Sequence, residues 1–153
     1  MEGIKLFCKE RIQIHLEADN REDALEKTAA VMQKTGIVKE DFLKNILARE
    51  KKFPTGLKIG EIGIAIPHTD PEYVNEPGIA VSTMKDPVKF QRMDDPEEMV
   101  EAKVIFMLAL KDGHNHLTMI SSIVKMLSNK EVLNKLIQAD NEETILETIN
   151  SNL

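Results

Sequence analysis

Residues 61–70 read EIGIAIPHTD, and the fold class turns on the stretch IGIAI at 62–66 inside it. The run is too short for a buried helix, carries branched Ile at 62, 64 and 66, and is halted by Pro67, which fixes φ and has no amide hydrogen. It reads as a buried strand that delivers His68 at its end. Two further strands are expected at Gly78–Met84 and Val104–Leu110; the second, VIFMLAL, is apolar throughout and therefore central in its sheet. Near the start, Arg11–Ala18 alternates Ile12, Ile14 and Leu16 with polar residues, the period of a half-buried strand, with His15 on the polar side. Phe90–Glu101, polar and rich in Asp and Pro, reads as a loop or a short hairpin extension.

Helical spacing fills the intervals. Asp19 or Asn20 can cap a helix in which Ala24, Leu25, Thr28, Val31 and Met32 recur on one side before Gly36 ends it. A second helix is expected from Lys39, with Phe42, Leu43, Ile46 and Leu47 on one face and Arg49 in its last turns, where the helix dipole favours a cation. Three more follow at His116–Leu127, Lys130–Ala139 and Glu142–Ile149, with Asp112-Gly113 and Ser128-Asn129 as the breaks. Strands and helices mixed within one chain of 153 residues give a layered α/β sandwich, a single domain over 1–153.

Composition removes several function classes. A net charge of -6 with both signs interspersed offers no basic stripe for a phosphate backbone, so no nucleic-acid partner is expected. The longest apolar stretch is too short to cross a bilayer and the start MEGIKLFCKERIQ lacks the apolar run of a secretory signal; a cytoplasmic protein with no membrane insertion is expected. Cys8 is the lone cysteine, which excludes an intrachain disulfide.

Chemistry in open α/β sheets gathers where strands give way to loops, and His68 sits at such a place. A neutral imidazole can attack phosphorus at neutral pH and hand the group on. On spacing alone an ordinary loop histidine is the plainer reading, and three groups would change that if the fold gathers them. Arg49 could hold two phosphoryl oxygens in its planar fork. His116, expected to open a helix, could receive an anion among that helix's free N–H groups. Thr55 and Thr69 could add hydroxyl donors. An exposed surface role fits Arg49 and His116 as readily. His114 and His116 with Asp112 form a loose metal-ligand triplet, but a spacing of two puts the histidines on different helix faces, so no metal and no cofactor are expected. Neither HExxH, Walker-type, dinucleotide-type glycine nor GxSxG patterns occur.

Arg49-Glu50, the following PTG at 54–56, AIPH at 65–68, VIFMLAL and His116-Leu117 together make the chain resemble, from about Lys5 to Ile149, the enzyme IIA components of the phosphoenolpyruvate-dependent sugar phosphotransferase system, mannitol–fructose class. The resemblance implies a mixed sheet of about five strands flanked by helices. It also implies that His68 takes a phosphoryl group from the histidine phosphocarrier HPr, on the nitrogen remote from the backbone. The group then passes to a cysteine of a sugar-specific enzyme IIB, whose partner enzyme IIC carries the sugar. Arg49 and His116 belong to the site by the same likeness. FPTG at 53–56 and VKFQRMDDPEE at 88–98 look most like the galactitol-specific branch. A regulatory protein of the same fold, phosphorylated on His68 and acting on a kinase or a transcription regulator, and a binding module without phosphotransfer stand as alternatives.

Overall fold

The apolar run at 104–110 becomes the middle of the sheet because both of its faces are covered. In the computed structural model, which describes residues 6–153 apart from the His114 side chain, the elements run β1 (Ile12–Leu16), α1 (Arg21–Lys34), α2 (Phe42–Lys52), β2 (Gly56–Ile59), β3 (Ile62–Ala65), β4 (Gly78–Gln91), β5 (Met99–Ala109), α3 (Gly113–Leu127), α4 (Lys130–Gln138) and α5 (Glu142–Asn152). The sheet order is β1-β4-β5-β3-β2. β1 pairs parallel with β4 and β3 parallel with β5, while β4–β5 and β2–β3 are antiparallel. The sheet is therefore mixed, and β5 holds its centre.

Alternation along the strands assigns the two layers. Ile64, Val104, Phe106 and Leu108 pack with Ile123, Leu127, Leu133, Leu136, Ile145 and Ile149 of α3–α5. Ala65, Ile105, Met107 and Ala109 pack with Leu25, Met32, Phe42 and Ile46 of α1 and α2. A strand whose every side chain enters one core or the other must be apolar throughout, as VIFMLAL is, and each such burial contributes about 1.5–3 kcal/mol before entropy is counted.

Several boundaries differ from expectation for local reasons. The segment expected as a loop or short hairpin extension at Phe90–Glu101 is the end of a long hairpin: β4 runs to Gln91 and β5 restarts at Met99. There Val88, Phe90, Val100 and Ala102 are buried while Lys89 and Glu101 face solvent, the alternation of a strand with one wet face. The register shifts between Thr83 and Val88, around Asp86-Pro87, where a proline can be absorbed. The helix expected from Lys39 begins at Phe42, since Val38 bridges Val74 and the Lys39 N–H donates to the Tyr73 carbonyl, holding that segment extended. Of the two candidate caps, Asn20 accepts the Asp23 N–H at the start of α1.

β2 has no counterpart among the expected elements. It pairs with β3 through the two-residue turn Gly60-Glu61, with Ile59 opposite Ile62 and Gly60 at φ +61, the left-handed geometry that favours glycine there. Gly63 is required for a different reason: a Cβ there would lie 2.5 Å from the Glu101 carbonyl oxygen, at the point where the β3–β5 register shifts. Gly63→Ala is therefore expected to lower unfolding free energy by roughly 1–3 kcal/mol, since backbone must move to admit the methyl group. Urea unfolding of wild type and variant measures this, and equal midpoints would contradict the close approach.

Candidate functional site

Three hydrogen bonds hold the segment that carries His68. Beyond β3, the Ile66 N–H donates to the Thr55 carbonyl at 3.2 Å and the Leu108 N–H donates to the Pro67 carbonyl at 2.9 Å, so the strand end is tied on both sides. The third is made by the histidine: its Nδ1 lies 2.9 Å from the Ile66 carbonyl oxygen. A carbonyl can only accept, so Nδ1 carries the proton and donates. Nε2, remote from the backbone, is left with its lone pair. The ring is half-buried, and burial, joined by the positive charge of Arg49, lowers its pKa from the ordinary 6.5 against the raising effects of the Ile66 hydrogen bond and Asp70. At neutral pH the ring is uncharged, the form with a nucleophilic nitrogen.

His116 comes from α3, on the layer that receives Ile64 and Ile66, and its ring centroid lies 5.4 Å from that of His68 at an interplanar angle of 31°. It is 5% exposed, and its Nε2 has no hydrogen-bond partner among the described residues. Burial first, then His68 and Arg49, push its pKa down to about 4. The helix begins at Gly113, so His116 stands at the end of the first turn and does not open it. The helix-start anion site expected for it is in part occupied: the Asp112 carboxylate accepts the Asn115 N–H at 2.8 Å. Of the metal triplet weighed from sequence, the His114 side chain lies outside the described residues. Among the described residues no three His, Cys, Asp or Glu side chains are grouped to hold a metal ion.

Arg49 reaches the same place from the opposite layer. In the last turn of α2, it pairs with Asp70 (Nη1 to Oδ1 3.5 Å) and its guanidinium carbon sits 5.2 Å from the centroid of the Phe53 ring. Its charge is felt at both His68 and His116. The structure thus gathers His68, His116 and Arg49. Thr69 is buried beside His68. Thr55 is buried as well, but its hydroxyl is engaged elsewhere: it donates to Glu50 Oε1 at 2.8 Å, and the Thr55 N–H donates to Oε2 at 2.7 Å. Its service to the site is through its backbone carbonyl, which holds Ile66. Glu50 and Asp70 were not singled out from sequence, although Glu50 follows Arg49 directly and Asp70 lies two residues past His68. Glu50 is 2% exposed with a pKa raised by burial, so its carboxylate is fastened into the turn between α2 and β2. Among the described residues the most exposed large apolar side chains, Leu117 at 69% and Phe53 at 56%, adjoin His116 in sequence and Arg49 in space.

Two measurements check this geometry. Glu50→Ala strips the partner from a buried N–H and a buried hydroxyl, and is expected to cost roughly 2–4 kcal/mol in urea unfolding; a loss under 0.5 kcal/mol, on the order of a neutral surface change, would contradict the clamp. For His116 the folded pKa lies below the unfolded value, so as pH falls from 6.5 towards about 4 the unfolded chain binds a proton that the folded chain refuses, and stability falls across that window. The share owed to His116 is roughly 2 kcal/mol by about pH 5. His116→Gln is expected to flatten the pH dependence by that amount, and an unchanged slope would contradict a buried neutral ring.

Residues 5–152 match the family described as "Phosphoenolpyruvate-dependent sugar phosphotransferase system, EIIA 2". The chain is 32% identical over 154 residues to the fructose-specific EIIABC component of Bacillus subtilis, covering 98% of this chain and 23% of that protein. It is 30% identical over 137 residues to the transcriptional regulator ManR of the same organism, covering 90% of this chain and 19% of the regulator. The chain thus spans less than a quarter of either relative. Among solved structures, enzyme IIAMTL from Escherichia coli, in its complex with phosphorylated enzyme IIBMTL, superposes with a TM-score of 0.77 at 22% identity over 95% of this chain and 97% of that one; the common fold is the five-stranded mixed sheet between helices. With a family match over nearly its whole length, the chain belongs to the sugar phosphotransferase system EIIA type 2 family.

Proposed function

We propose that the chain is a phosphocarrier in which His68 Nε2 accepts a phosphoryl group from phospho-HPr and transfers it to a cysteine of a sugar-specific enzyme IIB. The observation that carries the reading is the bond from His68 Nδ1 to the Ile66 carbonyl, which leaves the outward nitrogen unprotonated and fixed in direction. In the first step the Nε2 lone pair forms a bond to phosphorus as the bond from phosphorus to the donor imidazole breaks, and the donor ring regains its lone pair. The phosphorylated ring keeps its proton on Nδ1 and so carries positive charge, which the Ile66 carbonyl stabilises. In the second step a cysteine thiolate attacks phosphorus and the electron pair returns to Nε2, a good leaving group because the ring departs neutral.

Arg49 offsets charge on the phosphoryl oxygens through both transfers. His116 serves as a neutral donor: its buried Nε2 lacks a partner among the described residues, and a phosphoryl oxygen arriving nearby would supply one. Thr69, buried and next to His68 in sequence, is proposed to add a hydroxyl donor, and Thr55 acts through Ile66. The exposed apolar side chains of Phe53, against Arg49, and Leu117, next to His116 in sequence, are proposed to serve HPr and enzyme IIB in turn, in small transient interfaces that exclude each other. Among the described residues no helix is long and apolar enough to cross a membrane. The proposed relay works in the cytoplasm, and its link to membrane-bound enzyme IIC runs through IIB.

The sugar is a fructose- or mannitol-type substrate by analogy with the relatives, and the galactitol branch is the finer proposal, resting on the strings at 53–56 and 88–98 alone. A regulatory role is the second reading, favoured by the likeness to ManR. Intact mass after incubation with phosphoenolpyruvate, enzyme I and HPr is expected to show one acid-labile phosphoryl group on wild type and none on His68→Ala. Arg49→Gln is expected to slow acceptance by on the order of a hundredfold, and His116→Ala to slow discharge more than acceptance. Discharge onto fructose-, mannitol- or galactitol-type IIB identifies the sugar. Phosphorylation with no discharge to any IIB would favour the regulator, and modification of His68→Ala would overturn the assignment.

A further inference from the structure

Arg49 has an anionic partner in the resting protein, and that partner stands beside the nucleophile. Asp70 Oδ1 lies 3.5 Å from Arg49 Nη1, and Asp70 begins a turn at Pro71–Tyr73 only two residues past His68. The pair is loose and the Asp70 side chain is 60% exposed, so it adds little to stability. The guanidinium carbon also lies 5.2 Å from the centroid of the Phe53 ring, a cation–π contact.

We propose that Asp70 is a resting counter-ion that competes with the phosphoryl group for Arg49 and so lowers the stability of phospho-His68, setting how readily the group is passed on. The proposal rests on the phosphocarrier reading above. Before transfer, Arg49 is paired and the site is close to neutral. After transfer, phosphoryl oxygens and the Asp70 carboxylate face a single guanidinium, and one anion is left undercompensated. The carboxylate also repels the phosphoryl group directly. Both effects push the equilibrium in one direction, towards release of the group to the next acceptor, while the attacking atom, the donor bond broken and the proton on Nδ1 stay as described.

The discriminating substitution is Asp70→Asn, with Asp70→Ser as a second variant should the first fold poorly. Each protein is brought to equilibrium with a fixed ratio of phospho-HPr to HPr at low ionic strength, and the phosphorylated fraction is read by intact mass at alkaline pH. The equilibrium constant for forming phospho-His68 is expected to rise roughly two- to fivefold on removing the carboxylate, the range of exposed charge pairs, and the gain should shrink at high salt. In an Arg49→Gln background the gain should fall, because the contested partner is gone. A loss of mere structural support would lower phosphorylation instead. Wild type that is phosphorylated, with variants phosphorylated equally or less, would overturn the role of Asp70 and leave the phosphocarrier intact. Failure of wild type itself to accept phosphate would overturn both.

Discussion

The bond between His68 Nδ1 and the Ile66 carbonyl is the constraint on which the site depends, and its effect is larger than one hydrogen bond suggests. A free imidazole exchanges its proton between two nitrogens and turns about its side-chain bonds. Here a backbone acceptor two residues earlier fixes the tautomer and the ring direction together. That acceptor is itself held: the Ile66 N–H is bound to Thr55, Thr55 to the buried carboxylate of Glu50, and Glu50 lies on the helix that presents Arg49. His68, the proposed nucleophile, and Arg49 are thus fastened to one chain of bonds.

The sandwich explains why such a chain is needed. His116 descends from the α3–α5 layer and Arg49 rises from the α1–α2 layer, so the groups meet only just past the end of β3. Burial there keeps both imidazoles uncharged at neutral pH, with His116 held at about 4. Two neutral rings stand beside one guanidinium, whose charge Asp70 offsets in the resting protein.

Much of this was legible in the sequence, and the parts that were not have physical reasons. VIFMLAL and IGIAI announced themselves because strands buried on both faces must be apolar throughout. The distal half of the β4–β5 hairpin did not, since one face is wet and Pro87 interrupts the pattern at a register shift. β2 was passed over for its brevity, although Gly60-Glu61 between LKI and IGI is a hairpin signal. His68, Arg49 and His116 were found by residue chemistry and by family likeness, but their meeting is a property of topology. The engagement of the Thr55 hydroxyl by Glu50 is not legible, because nothing in a sequence shows whether a hydroxyl is already bound.

The most direct test of the account is a long-range proton–nitrogen NMR correlation on the protein before and after phosphorylation, with phosphorus coupling read on the His68 ring. A neutral ring protonated at Nδ1, with phosphorus then attached to Nε2 and the Nδ1 proton retained, is the expected result. Phosphorus on Nδ1, or a resting ring protonated at Nε2, would contradict it.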